Sequence, residues 1–367
     1  MKNIAVIGIG KLGLCFALTL ERAGYNVLGL DLNEDYVQTI NKRNLTSAEP
    51  NVETYLKQTT NFRATTNLIE VVNFSDIIFV VVATPSLPNG RYDHSQVDNL
   101  VVKLELMGRS DVQKHFIVCC TTMPGYCDSI KERLSAINYT TSYNPEFIAQ
   151  GTILRDQAYP DMILIGEANS EVGEIIEDIY SKHTLNEPRI CRMTPLEAEI
   201  TKLSLNCFLT TKIAYTNMIG DIVHKSGGRP DIVLSAIGAD SRIGSKYLRY
   251  GYGYGGPCFP RDNRALAMYA GDINLPAKIS KATDESNALH LLYQVESFSK
   301  THNKNDILVF DTVTYKPEST LIIESQQLKY AAALAKEGFK VKIRERRSVI
   351  EEIKYEYDTL FIYEERE

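Results

Sequence analysis

One short stretch carries the sharpest chemistry in this sequence: Gly255-Gly256-Pro257-Cys258-Phe259-Pro260-Arg261-Asp262. A cysteine set among glycines and prolines is not behaving as a core hydrophobe. A nearby cation such as Arg261 would favour its thiolate, the nucleophilic form. Asp262 stands four residues on, close enough to accept a proton or position a water. On these residues alone, a loop cysteine without a role is an equal reading. Lys202 and Asn206 supply a second group. Spaced i, i+4, they share one helix face, and both can donate to a developing oxyanion. Asn is a weak helix former, although a solvated polar stripe is the plainer explanation of the pair. The third group is Asn144-Pro145-Glu146-Phe147-Ile148-Ala149-Gln150-Gly151, where Glu146 could bind a sugar, orient water, or be an ordinary loop acid.

These residues need elements to position them. Residues 4–7, 27–30, 77–83, 116–120 and 162–165 read as buried parallel strands, with a helix over 12–23 ending at Gly24. The alternation is a βαβ pattern and implies a doubly wound sheet. Gly8-Ile9-Gly10-Lys11-Leu12-Gly13 follows the first strand and opens the first helix. In that context the glycines serve the tight turn, the approach of a pyrophosphate and helix–strand packing. The second strand ends in Asp31, which can accept from an adenosine ribose and repel a 2′-phosphate, so NAD is preferred over NADP. The alternative is a glycine turn with no ligand.

Thr194-Pro195-Leu196-Glu197 combines an N-cap, a proline at the first helical position and a capping-box acid. A helix of about thirty residues should follow, to about His224 before Gly227-Gly228. Such a helix between two domains suits an oligomer interface. Helical sequence recurs over 231–237 and from the end of the Gly/Tyr-rich stretch 247–256 to about Lys300. The last part reads as a second α/β unit: strand 306–312, helix 325–337, strand 340–344 and strand 357–363. The domains expected are 1–192, 193–300 and 301–367.

Taken in order, GxGxxG with Asp31, Ala83-Thr84-Pro85, Thr121-Thr122-Met123-Pro124, Asn144-Pro145-Glu146-Phe147, Lys202 with Asn206, Asp240-Ser241-Arg242-Ile243-Gly244, and Gly255-Gly256-Pro257-Cys258 with Asp262 resemble the UDP-glucose and GDP-mannose dehydrogenase family. The resemblance runs through about the first 270 residues, and the Lys/Asn pair with GGxCxxxD is its specific part. It implies two Rossmann-like domains joined by a central helical domain with one long helix. It implies NAD-dependent oxidation of the C6 alcohol of a nucleotide sugar to a carboxylate, with two NAD consumed. Cys258 would form a thiohemiacetal and then a thioester. Lys202 and Asn206 would hold the C6 oxygen, Asp262 would act with a water as base, and Glu146 would serve the hydrolytic half. Gly8, Gly10, Lys11, Leu12, Gly13 and Asp31 would hold the cofactor, with Thr84 and Thr122 on the nicotinamide side. Phe147, Gln150, Tyr247, Tyr250, Gly255 and Lys316 would contact the nucleotide sugar. Arg242 would reach the site of a neighbouring subunit, implying a homodimer. The pathway implied is one of polysaccharide biosynthesis.

The chain also departs from the family. Gln150 stands where a second acid is common, and Gln cannot take a proton. Tyr315-Lys316-Pro317 resembles the family's Lys-Pro segment, yet Ile323 replaces the arginine usual before Glu324-Ser325. The sequence ends soon after Tyr363, before the segment that normally completes this domain. UDP, with glucose, is the default substrate. Two other readings stay open: a single-step dehydrogenase of the 6-phosphogluconate or β-hydroxyacid type, which needs no cysteine, and a non-catalytic protein on the same scaffold.

Composition bounds the partners. Of 367 residues, 44% are hydrophobic and 23% charged, and the net charge is −6. That balance argues against nucleic acid or an anionic membrane as partner. Seven cysteines and six histidines show neither a disulfide framework nor metal-ligand spacing. No apolar run is long enough to span a bilayer. A reduced, metal-free cytoplasmic protein is the expectation.

Overall fold

The computed structural model describes residues 2–316 and 319–366. The chain divides into two compact units, Met1–Lys202 and Leu203–Glu367. In the first, strands and helices alternate: β1 Asn3–Ile7, α1 Lys11–Arg22, β2 Asn26–Leu30, α2 Glu34–Asn41, α3 Val52–Gln58, β3 Phe62–Thr65, α4 Leu68–Phe74 and β4 Ile77–Val80. There follow α5 Ser95–Met107, β5 Lys114–Val118, α6 Tyr126–Ala136, β6 Tyr139–Tyr143, α7 Ile153–Ala158, β7 Met162–Gly166, α8 Ser170–His183 and β8 Arg189–Met193. The eight strands order as β3-β2-β1-β4-β5-β6-β7-β8. The sheet is parallel except where Tyr143 of β6 meets Gly166 of β7. Helices cover both faces, so central strands are apolar throughout rather than alternating; Ile4, Ala5 and Val6 are wholly buried. Strand order reverses between β1 and β4, and the crevice at their carboxyl ends is where such sheets bind ligands.

α9, Pro195–Lys225, is 31 residues long and runs across the boundary between the units. Its capping box forms as expected: Glu197 N–H donates to Thr194 Oγ1 at 3.4 Å, and Thr194 N–H donates to Glu197 Oε2 at 2.8 Å. A cap of this kind is worth about 1 kcal/mol. The second unit continues with α10 Pro230–Gly238, α11 Phe259–Asp272, α12 Lys278–Thr301, β9 Ile307–Phe310, α13 Gln326–Lys336, β10 Lys340–Glu345, α14 Arg347–Tyr357 and β11 Ile362–Glu365. Its sheet is parallel, ordered β11-β10-β9.

Some boundaries differ from the sequence reading. The strand expected over 77–83 stops at Val80, and that over 116–120 lies at Lys114–Val118. The strand expected over 357–363 is instead the end of α14 followed by β11. Val349, Ile350 and Ile353 of α14 are buried at helical spacing, and that helix runs on to residue 357. Pro317 lies outside the described residues.

Candidate active site

The first unit builds a dinucleotide cradle from the β1–α1 turn. Gly8 has φ +88°, and a Cβ there would stand 2.8 Å from the Val81 carbonyl oxygen. A Cβ on Gly13 would stand 2.0 Å from the Gly8 carbonyl oxygen. Both glycines are therefore required by the protein's own packing. Gly10 is different: a Cβ there would meet nothing within 4 Å. The fold leaves open space where a pyrophosphate must approach. Gly10 caps α1 without any side-chain bond to the helix, so the amide donors of Lys11, Leu12 and Gly13 face outward for an anion. The turn is pinned by Gly8 N–H to Leu30 O (2.8 Å) and by the Tyr36 hydroxyl to Ile9 O (2.9 Å). Asp31 stands at the end of β2 and accepts from Asn33 N–H at 3.0 Å. An open second glycine, an uncapped helix start and a carboxylate at the second strand fit NAD.

Thr84 and Thr122 are both buried. The Thr84 hydroxyl donates to Thr121 O at 2.7 Å, and that of Thr122 donates to Glu199 Oε1 at 3.0 Å. Glu199, which the sequence reading did not single out, is wholly buried on α9. It also accepts from Gly125 N–H (2.6 Å) and Cys127 N–H (2.9 Å). Burial pushes its carboxyl above the usual range while those donors pull it back. One carboxylate thus fixes the 122–127 turn. The signal in the sequence was slight: an acid three residues before Lys202 on the same helix.

Lys202 is buried; its Nζ donates to the Glu146 carbonyl at 2.6 Å and lies 4.3 Å from the Phe147 ring centroid. Glu146 is partly buried, and loss of water around its carboxyl raises its pKa to about 7, against the pull of Lys202. Asn144 anchors this segment through Leu164 O (2.9 Å) and the Tyr180 hydroxyl (2.8 Å). Gln150 accepts from Lys11 Nζ at 3.4 Å, which links the segment after β6 to the start of α1.

In the second unit, Cys258 is exposed and forms the N-cap of α11. Negative charge on its sulfur would meet the amide-rich helix start. One turn on, Asp262 is buried and accepts from Asn206 Nδ2 at 2.6 Å. Arg261 stands 3.7 Å from the Asp262 carboxylate. The cysteine loop tolerates only glycine at two places. A Cβ on Gly255 would lie 2.2 Å from the Glu324 carbonyl oxygen, and one on Gly256 (φ +80°) would lie 2.5 Å from the Tyr315 ring.

Other expected contacts are placed as follows. The Tyr250 hydroxyl donates to Asp221 Oδ1 at 2.8 Å, and its ring covers Gly220. Tyr247 is exposed with φ +66°. Arg242 is exposed and forks onto Asp240 at 2.7 and 3.0 Å. The Lys316 carbonyl accepts from the Thr314 hydroxyl at 2.8 Å. Two residues that the sequence reading passed over hold the Gly/Tyr stretch in place. Asn217 binds Gly251 N–H (3.2 Å), and Asn287 binds both Tyr254 N–H (2.9 Å) and Tyr254 O (3.0 Å). Among the described residues no cluster of side chains could hold a metal ion, and no helix is long and apolar enough to cross a membrane.

Known proteins match along these same segments. Residues 2–184 match the NAD binding domain of the UDP-glucose/GDP-mannose dehydrogenase family, and residues 196–289 match its central domain. The UDP-glucose 6-dehydrogenase of Rickettsia felis is 33% identical over 291 residues, covering 78% of this chain and 64% of that protein. The chain therefore spans somewhat less than two thirds of that relative's length. The GDP-mannose 6-dehydrogenase of Pseudomonas aeruginosa is 27% identical over 360 residues, covering 94% of this chain and 81% of that protein. A solved UDP-glucose dehydrogenase from Pyrobaculum islandicum superposes with a TM-score of 0.88 at 26% identity, covering 100% of this chain and 86% of that one.

Proposed function

The chain belongs to the UDP-glucose/GDP-mannose dehydrogenase family, and from that premise we propose that it is an NAD-dependent nucleotide-sugar 6-dehydrogenase carrying an alcohol through to a carboxylate. The observation that carries this reading is the junction of Asn206 with Asp262 at 2.6 Å, one helical turn from Cys258. An oxyanion donor, a carboxylate base and a nucleophile are thereby held by two helices.

Bound NAD supplies the hydride acceptor for each oxidation. Asp262, acting with a water, takes the alcohol proton as the C6 hydride leaves, giving an aldehyde. The Cys258 sulfur adds to the aldehyde carbon, forming the C–S bond of a thiohemiacetal. Lys202 and Asn206 hold the resulting oxygen. Loss of the second hydride leaves a thioester. Water, oriented by Glu146, adds to the thioester carbonyl; the C–S bond breaks, releasing the carboxylate and restoring the thiol. The covalent link keeps the aldehyde from escaping.

UDP-glucose is the proposed substrate, with the Gly/Tyr stretch bearing Tyr247, Tyr250 and Gly255, and Lys316 beyond it, contacting the nucleotide sugar. Residues 193–300 are proposed as a helical dimerisation domain. Phe208, Tyr215, Met218 and Ile222 are exposed on α9 at spacings that put them on one face, and Arg242 would reach the neighbouring subunit.

The test is to count NADH per sugar over a panel of UDP-, GDP-, CDP- and dTDP-sugars. Two NADH per sugar, with acid as product, are expected. One NADH per sugar would point to a single-step dehydrogenase, and none to a binding role. Cys258→Ser should yield no acid; full turnover to acid by that variant would end the covalent scheme.

A further inference from the structure

Beside Glu146, on the side of α7 and α8, lies a pocket of about 20 Å³ lined by Glu146, Gln157 and Tyr180 together with Ile148, Met162 and Ile163. That volume accommodates one water molecule. Gln157 is 2% exposed, and neither its Nε2 nor its Oε1 has a hydrogen-bond partner of good geometry among the described residues. A buried primary amide left so is costly, and native folds satisfy such groups with protein or ordered water. Across the pocket the Glu146 carboxyl meets the Tyr180 hydroxyl only at the limit of hydrogen-bonding distance. The Tyr180 hydroxyl has one proton, and it lies 2.8 Å from Asn144 Oδ1 but 3.5 Å from Glu146 Oε1. Lys202 donates to the Glu146 backbone carbonyl at 2.6 Å. The amide shares the pocket with Glu146 and acts to lower that carboxyl's pKa.

We infer that this pocket binds one ordered water, which accepts from the Gln157 amide and donates to the Glu146 carboxylate, making Gln157 a positioning residue for Glu146. The inference bears on the reaction through the reading above, in which Glu146 orients the hydrolytic water. The hydrogen bonds favour the ionised carboxyl against the burial that opposes it. Without them Glu146 holds its proton to higher pH and is a weaker acceptor during hydrolysis.

The titratable groups around Glu146 are Lys202 on α9, Tyr180 on α8, Cys119 after β5 and Cys15 on α1, with Asp156 of α7 on the pocket wall, where it accepts from Ala149 N–H at 2.9 Å and from the Thr152 hydroxyl at 2.8 Å. Burial drives the Cys15 thiol up to about 12 and pushes Cys119 and Tyr180 up as well. All three stay neutral near pH 7, so a titration there that Glu146→Gln abolishes belongs to the Glu146 carboxyl.

Thermal melting is recorded against pH for the ligand-free protein, for Glu146→Gln and for Gln157→Leu. The inflection absent from Glu146→Gln reports the carboxyl. Gln157→Leu is expected to move that inflection up by about one pH unit, whereas an unmoved inflection, or a uniformly higher melting temperature, would overturn the inference. If Gln157→Leu does not fold, a crystal structure of the unaltered protein decides: a water within hydrogen-bonding distance of both side chains supports the inference, and a dry pocket refutes it. In turnover, Gln157→Leu should lower kcat about tenfold near neutral pH with KM unchanged, recovering at higher pH. A shifted inflection with unchanged kcat would keep the water site and remove Glu146 from the hydrolytic step.

Discussion

The strands β1 and β9 begin the same winding and end in different chemistry. Each heads a parallel set, β3-β2-β1 in the first sheet and β11-β10-β9 in the second. β1 is paired on both edges, by β2 and β4, and every residue after Asn3 is buried. Among the described residues β9 is paired by β10 alone, with Ile307 52% and Val309 45% exposed. The turns that follow diverge further. After β1 comes a glycine cradle and a helix start that no side chain caps. After β9 the chain reaches α13, whose first turn is closed by its own N-cap, Ser325 accepting from Leu328 N–H at 3.2 Å. A helix that satisfies its own amides has less to offer an anion. Winding alone therefore does not make a dinucleotide site; a bare helix start and a glycine with space before it do.

The largest effect should come from Gly13→Ala. Its methyl would be driven onto the Gly8 carbonyl at 2.0 Å, a backbone obstacle that cannot swing away. A loss of about 4 kcal/mol or more is expected, read as failure to fold or a collapse of the melting temperature. Gly10→Ala is the control that sharpens the point, because nothing stands within 4 Å of its Cβ. It should melt like the parent yet bind NAD about tenfold more weakly, near 1.4 kcal/mol, by calorimetry. If Gly10→Ala bound NAD normally, the open space would not be the ligand's.

The two strands themselves can be set against each other. Ile4→Ala removes a wholly buried side chain and should cost about 2–5 kcal/mol in denaturant melts. Val309→Ala, at the exposed edge, should stay within about 0.5 kcal/mol. An equal cost at both would mean that β9 is covered in solution.

Buried polar groups give the first unit a pH signature. His183 packs edge-on against Phe16 and Tyr180, neither ring nitrogen has a partner among the described residues, and burial drives its pKa from 6.5 to about 4. The folded state resists protonation that the unfolded chain accepts below pH 6.5. Stability from His183 is thus fully present above pH 6.5 and is lost as pH falls towards 4, by up to about 3 kcal/mol. His183→Leu should flatten that part of the melting profile and gain most at pH 4–5. A parallel downward shift at every pH would show that the imidazole is satisfied.

These contrasts explain what the sequence could disclose. The glycine turn, Asp31, the capping box of α9 and the Lys202/Asn206 spacing are local patterns, and local physics reads them directly. So is the Cys258–Asp262 turn, because both residues lie in one helix start. Glu199, Asn217 and Asn287 are different: each holds a distant backbone segment, and no spacing announces a partner 33 to 77 residues away. The strand expected over 357–363 is only partly placed, for another reason. Residue 357 ends α14 and the strand begins only at Ile362, with no local turn signal to mark the change.

A modest effect tests the cap that separates the two helix starts. Ser325 is buried, its hydroxyl donates to Val313 O at 2.7 Å, and it accepts from Leu328 N–H. Ser325→Ala should cost about 1 kcal/mol, the usual value of an N-cap, seen as a small fall in denaturation midpoint. NAD affinity should not change, because the cradle of the first unit owes nothing to this cap. Removing the cap exposes the amides of α13, so inorganic phosphate should then protect the variant slightly more than the parent against thermal unfolding. If phosphate protected both equally, helix-start satisfaction would not be what distinguishes the two turns, and the glycine space before α1 would carry the whole difference.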